Sequence, residues 1–183
     1  MSPSPGPAPR PATERELVEA VATELRARGY RTYVDPDGTD YFDLAARRDE
    51  EVGLVEGKLG GPSRVLAQAL RRRAWADWVA VAVASERTAR ALVARTAGTR
   101  ASIVGVWSWD AGSARELRAP VVRAAGAPDP FAETRARFRQ QLVDLDRGEL
   151  PAGVRWSSVP AAVRRRSFGR GFAEWRLDEP DPR

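Results

Sequence analysis

Cysteine and histidine are absent from all 183 residues, and lysine occurs once, at Lys58. Without a thiol there is no thiolate nucleophile, zinc–thiolate centre, iron–sulfur cluster or disulfide. Without imidazole there is no Ser-His-Asp triad, no Cys-His pair and no His-ligated metal. Long apolar runs are missing as well. The longest, Trp78 to Ala84, is far short of the ~20 residues of a membrane-spanning helix. The opening stretch MSPSPGPAPRPAT lacks the apolar core of a signal peptide and reads as a polyproline-prone leader over residues 1–13. These exclusions predict a cytoplasmic protein with no membrane partner. Its chemistry must come from carboxylates, hydroxyls, arginines, one lysine and any metal that oxygen ligands hold.

At 43% hydrophobic and 30% charged, the chain can fill one core and carry an extension. Its net charge of +5 points toward a polyanionic partner, although an Arg-rich solvated surface gives the same number.

Thr13 is placed to cap a helix from Glu14 to about Arg28, with Gly29 just past its end. Leu17, Val18, Val21, Ala22 and Leu25 form its apolar stripe, and Glu14 lies in line with that stripe. The plainer reading of Glu14 is a carboxylate near the positive end of the helix dipole. Three strand-like runs follow: Tyr30–Val34, closed by the turn Asp35-Pro36-Asp37-Gly38, then Tyr41–Arg48, then Val52–Leu59. Ser63 is expected to cap a helix from Arg64 to about Trp75. The valine-rich run Trp78–Ala84 suits a strand covered on both faces. A helix over Glu86–Arg95 and a strand over Ser102–Trp109 complete an α/β order, αβββαβαβ, with helices on both sides of a mixed sheet. Asp110-Ala111-Gly112-Ser113 is read as the end of the sheet domain, which then spans residues 14–112.

Period-2 alternation puts Glu56 and Lys58 on one face of the third strand. If the second and third strands form a hairpin centred between Asp49 and Glu50, Asp43 falls directly opposite Glu56. Two carboxylates so placed repel unless a cation lies between them or one is protonated. With no His or Cys, they make a hard-oxygen site suited to Mg²⁺ or Mn²⁺. An ammonium beside them completes a set able to cleave a phosphodiester. Taken singly these signals are weak, since acid pairs and Glu-Gly-Lys tripeptides are common. Yet arginine fills 29 of the 30 basic positions, and the single exception falls two residues after Glu56, where a guanidinium is a poor substitute. On the following helix Gln68 and Arg72 share a face with Arg64 and Trp75 close to the same arc, while Leu66, Ala67, Leu70 and Ala74 lie opposite. An amide and a guanidinium facing the acid pair suit phosphate or the attacking water, and Arg64 and Arg72 are read as nucleic-acid contacts. Arg71 and Arg73 read as solvated.

These residues resemble the PD-(D/E)XK, or restriction-endonuclease-like, nuclease superfamily. Glu14-x-x-Leu17 is similar to its helix-borne glutamate. Asp43 in YFDLAA is similar to its metal-binding aspartate. Val55-Glu56-Gly57-Lys58-Leu59 is similar to its (D/E)-x-K strand. Gln68 through Arg72, followed by the strand beginning at Trp78, is similar to its glutamine-bearing helix and next core strand. No proline precedes Asp43, and Gly57 is an unusual middle residue. The resemblance covers about Glu14 to Trp109. It implies a restriction-endonuclease-like αβββαβ core and a Mg²⁺- or Mn²⁺-dependent nuclease acting on DNA. Asp43 and Glu56 would be metal ligands, Lys58 would serve the nucleophilic water, and Glu14 and Gln68 would support them.

The C-terminal part, residues 113–183, is read as a basic, mostly helical extension. Phe131, Phe138, Leu142 and Leu145 line a helix ending near Gly148. Arg164, Arg165, Arg166 and Arg170, interleaved with Phe168, Phe172 and Trp175, suit backbone phosphates and stacked bases, and equally suit packing on the sheet domain. Two function classes stay open: a DNA-cleaving enzyme, and a catalytically inactive nucleic-acid-binding or protein-interaction module of the same fold. Whether the chain acts alone or as a homodimer is also open.

Overall fold

The computed structural model describes residues 10–34, 42–124 and 128–147. Its elements run in the order α1 (Glu14–Ala27), β1 (Arg31–Val34), β2 (Leu44–Arg48), β3 (Glu51–Lys58), α2 (Pro62–Arg72), β4 (Trp78–Val83), α3 (Glu86–Thr96), β5 (Gly105–Asp110), β6 (Ser113–Arg118) and α4 (Ala132–Arg147). The strands form one six-stranded mixed sheet in sequential order. β1, β2 and β3 pair antiparallel as a meander. β4 and β5 then add in parallel through the crossover helices α2 and α3. β6 folds back antiparallel on β5.

Each helix follows from its local chemistry. Thr13 caps α1 by accepting a hydrogen bond from Glu16 N, and Gly29 leaves the helix with φ +84°. The buried stripe of Leu17, Val18, Val21, Ala22 and Leu25 lies on the sheet. Side chains alternate along β3 and β4. Val55, Ala80 and Ala82 pack toward α1, while Leu54, Val79, Val81 and Val83 pack toward α2 and α3. Burial on both faces explains the unbroken apolar run of β4.

Four expectations need correction. The cap of α2 is Gly61 at φ +66°, with Pro62 in the first turn, rather than Ser63; proline's fixed φ suits that position. The inward face of α2 is Val65, Leu66 and Ala69, and Ala67 is exposed. Residues 100–103 form a 3₁₀ turn, so β5 begins at Gly105 rather than Ser102. The sheet does not end at Asp110–Ser113. Ala111 and Gly112 both take positive φ there and turn the chain into β6, as a two-residue hairpin loop requires. The core likewise continues past residue 112. Phe138 and Leu142 of α4 are buried in the α2-side cluster, and Phe138 meets Phe42 edge to face at 5.6 Å. No helix among the described residues is long and apolar enough to cross a membrane.

Candidate active site at the end of β3

The β2–β3 ladder has the expected register, pairing Leu44 with Val55 and Arg48 with Glu51. It stops one residue short of Asp43. Instead of a Cα partnership with Glu56, the Asp43 carboxylate accepts a hydrogen bond from Gly57 N through Oδ2 at 2.7 Å. That bond ties the residue before β2 to the end of β3.

Gly57 is where α1 crosses β3. A Cβ there would lie 2.5 Å from Val18 Cγ2, nearer than side-chain carbons approach, so the unusual glycine is what lets the helix close on the strand. The same crossing brings Glu14, the first residue of α1, to the strand end. Lys58 Nζ donates to Glu14 Oε2 at 2.6 Å. Glu56 meets the opposite layer, where Arg72 Nε on α2 donates to Glu56 Oε1 at 2.9 Å. Glu56 and Lys58, expected side by side, therefore find partners on helices that cover opposite faces of the sheet.

Glu56 is 4% exposed. Burial pushes its carboxyl up to about 7, and the nearby Asp43 charge adds to this against the lowering effect of Arg72 and Lys58. Asp43 is also raised, first by burial, with the Gly57 hydrogen bond and Lys58 opposing. Burial acts on Lys58 to lower its pKa, but the Glu14 hydrogen bond and the Glu14, Asp43 and Glu56 charges together outweigh it and hold it above its ordinary value. Lys58 is thus a committed ammonium: it can orient and neutralise, and it is a poor proton acceptor.

The sign of the Glu56 shift gives a stability prediction. A carboxyl raised in the folded state holds its proton between about 4.5 and about 7, while the unfolded chain has released it. Stability contributed by this group is present below about 4.5 and is lost as pH rises through about 7. Urea unfolding of the metal-free protein should therefore show a fall over that range, up to about 3 kcal/mol, which Glu56→Gln removes. A wild-type profile as flat as that of Glu56→Gln would contradict the burial-driven shift.

Four of the expected residues are thus brought together: Glu14, Asp43, Glu56 and Lys58. Gln68 lies one turn before Arg72, and its Oε1 is buried with no hydrogen-bond partner among the described residues. Arg72 is half-buried, is committed to Glu56, and lies 5.3 Å over the Trp75 ring. The guanidinium expected to face phosphate or the attacking water is thus set against the Glu56 carboxylate. Arg64 is exposed on the first turn of α2. Arg164, Arg165, Arg166 and Arg170 lie outside the described residues. The pairing of Arg72 with Glu56 had only an indirect signal in the sequence, the i, i+4 spacing from Gln68.

No group of three or more carboxylates able to hold a metal occurs among the described residues. The candidate ligands are two, Asp43 and Glu56. They are hard oxygen donors, the Asp43 charge is close enough to raise the Glu56 carboxyl, and Glu56 is desolvated against the positive charges of Arg72 and Lys58. Such a pair fits a divalent cation completed by water and substrate oxygens, as Mg²⁺ sites commonly are.

No family model matches the chain, and no curated protein matches it. A solved structure of a protein of unknown function from Silicibacter pomeroyi is similar over 75% of this chain and 93% of its own, at 19% identity and a TM-score of 0.44.

Proposed function

We propose that the chain is a metal-dependent nuclease of restriction-endonuclease-like fold, hydrolysing phosphodiester bonds in DNA. The observation that carries this reading is the gathering of Glu14, Asp43, Glu56 and Lys58 at one end of β3, in a chain with a single lysine. Asp43 and Glu56 would hold Mg²⁺ or Mn²⁺. When bound, that cation supplies activation of a water and charge compensation at the scissile phosphate. Glu14 fixes the Lys58 ammonium, which then faces charge building on the phosphate. Gln68 brings an amide oxygen without a partner among the described residues to the helix face of Arg72 and is suited to orient a water.

The Arg72–Glu56 ion pair favours a second reading. A guanidinium already supplies positive charge to the buried carboxylate, as it would in a non-catalytic binding module that keeps the fold. The test is a panel of Mg²⁺, Mn²⁺, Ca²⁺ and EDTA on labelled duplex, single-stranded and branched DNA and on RNA, beside Mn²⁺ titration calorimetry. The nuclease reading expects cleavage with Mg²⁺ or Mn²⁺, none with EDTA, and loss of the calorimetric signal in Glu56→Gln. DNA bound but uncut under every metal, with no Mn²⁺ heat, supports the second reading instead.

A further inference from the structure

At the opposite end of β3, about 20 Å from Lys58 by strand rise, four arginines converge from three parts of the chain. Arg73 follows α2, Arg123 follows β6, and Arg135 and Arg139 are on the inward face of α4, in line with Phe138 and Leu142. Asp77 anchors the cluster to the sheet. Its N donates to Val52 O at 2.7 Å, and its Oδ2 accepts from Val52 N at 2.9 Å. Arg123 N donates to Asp77 O at 2.9 Å.

The carboxylates do not match the cations. Asp77 lies 3.6 Å from both Arg135 Nε and Arg139 Nη2. Asp129 meets Arg135 Nη2 and lies 3.7 Å from Arg123 Nη1. Glu50, 87% exposed, takes Arg139 Nη1 at 3.0 Å. Among the described residues no carboxylate pairs with Arg73, whose neighbouring charges are Arg123 and Arg100. Arg135 is only 5% exposed. Burial first, then the adjoining arginines, hold both Arg73 and Arg135 below the usual guanidinium value.

Hydrogen bonding is incomplete in the same place. Arg73 Nη1, Arg123 Nε, Arg135 Nη1 and Arg139 Nε are buried without an acceptor among the described residues. Buried donors are nearly always satisfied, and charged ones cost most when they are not. One orphan nitrogen is ordinary; four, on four converging guanidiniums with surplus positive charge, call for acceptor oxygens and negative charge together. A phosphate group supplies both, and forked guanidinium donors match its geometry.

We propose that Arg73, Arg123, Arg135 and Arg139 form a phosphate-binding site separate from the Glu56–Lys58 cluster. The phosphate comes either from a nucleic-acid backbone or from a small phosphorylated ligand. The site stands independently of the nuclease reading.

Thermal unfolding of the full chain in phosphate or pyrophosphate, against chloride at equal ionic strength, tests it. Phosphate at tenfold its dissociation constant should raise Tm by about 3 °C or more. Arg73→Gln should lose that gain while its Tm in chloride stays level or rises, because like-charge repulsion is relieved; a purely structural arginine would lower it. Arg123→Gln serves as the second variant. No gain over chloride, meaning that water alone completes the guanidiniums, overturns the proposal, as does an undiminished gain in Arg73→Gln. A fluorescent duplex separates the sources. A salt slope reduced by about 1 in Arg73→Gln assigns a backbone phosphate. An unchanged slope beside a lost phosphate gain assigns a free ligand. Lys58→Ala should keep the phosphate gain, so failure of the nuclease reading and failure of this one are distinguishable.

Discussion

Exchanging Lys58 for arginine is expected to lower the proposed Mg²⁺-dependent cleavage about 10²–10³-fold, the usual loss when one preorganised charge donor is removed. The fold should be untouched. Lys58 is 28% exposed and Glu14 42%, so their ion pair contributes at most about 1 kcal/mol, and an arginine can still reach Glu14. What changes is the cation. An ammonium is a compact point charge with three donors, whereas a guanidinium is planar, wide and spread over three nitrogens. Held at the end of β3 between Glu14 and the Asp43–Glu56 pair, it would overfill the space a phosphate oxygen and a water must share. Glu14→Gln should have a smaller effect, because Glu14 positions the ammonium and does not replace it. Single-turnover cleavage beside circular-dichroism melts would measure both. A Lys58→Arg protein that melts normally and cuts at the wild-type rate would sink the role given to Lys58.

The second large effect concerns folding. Gly53→Ala should destabilise the protein by about 3 kcal/mol or more, at the upper end of overpacking effects, lowering Tm by about 6–12 °C for a chain of this size. A Cβ at Gly53 would lie 2.0 Å from Cε2 and Cζ2 of Trp78. The indole cannot swing aside cheaply. Its Nε1 donates to Glu51 Oε1 at 2.7 Å, and Tyr30 both donates to that carboxylate and meets the ring edge to face at 5.8 Å. Moving Trp78 breaks this network and opens space beneath α1. Urea denaturation decides the matter; a loss below about 1 kcal/mol would mean the indole has a second seat of equal quality.

Much of the frame is legible in the sequence. Helix α1 could be read from Thr13, its apolar stripe and Gly29, because caps and stripes are written within a few residues of where they act. The β2–β3 register followed from a hairpin centred between Asp49 and Glu50, since a period of 2 leaves few ways to keep Leu44, Val55 and their neighbours inside. β6 was not legible. Ser113–Arg118 is an edge strand of mixed polarity, with only Ala114 buried, so it carries little alternation to detect. Gly57 looked irregular because its reason, the approach of Val18, is 39 residues away in sequence.

Composition and spacing by themselves determined which chemistries are closed to this protein, where Glu56 and the single lysine stand along β3, and which residues of β2 and β3 pair. Tertiary structure decided the rest: that α1 delivers Glu14 to Lys58, that α2 sets Arg72 against Glu56, that Trp78 lies over Gly53, and that four arginines meet beside Asp77. Local patterns repeat every 2 or 3.6 residues and can be read from a short window. Contacts between layers depend on where each helix slides and crosses on the sheet, and that offset is set by the packing of the whole core.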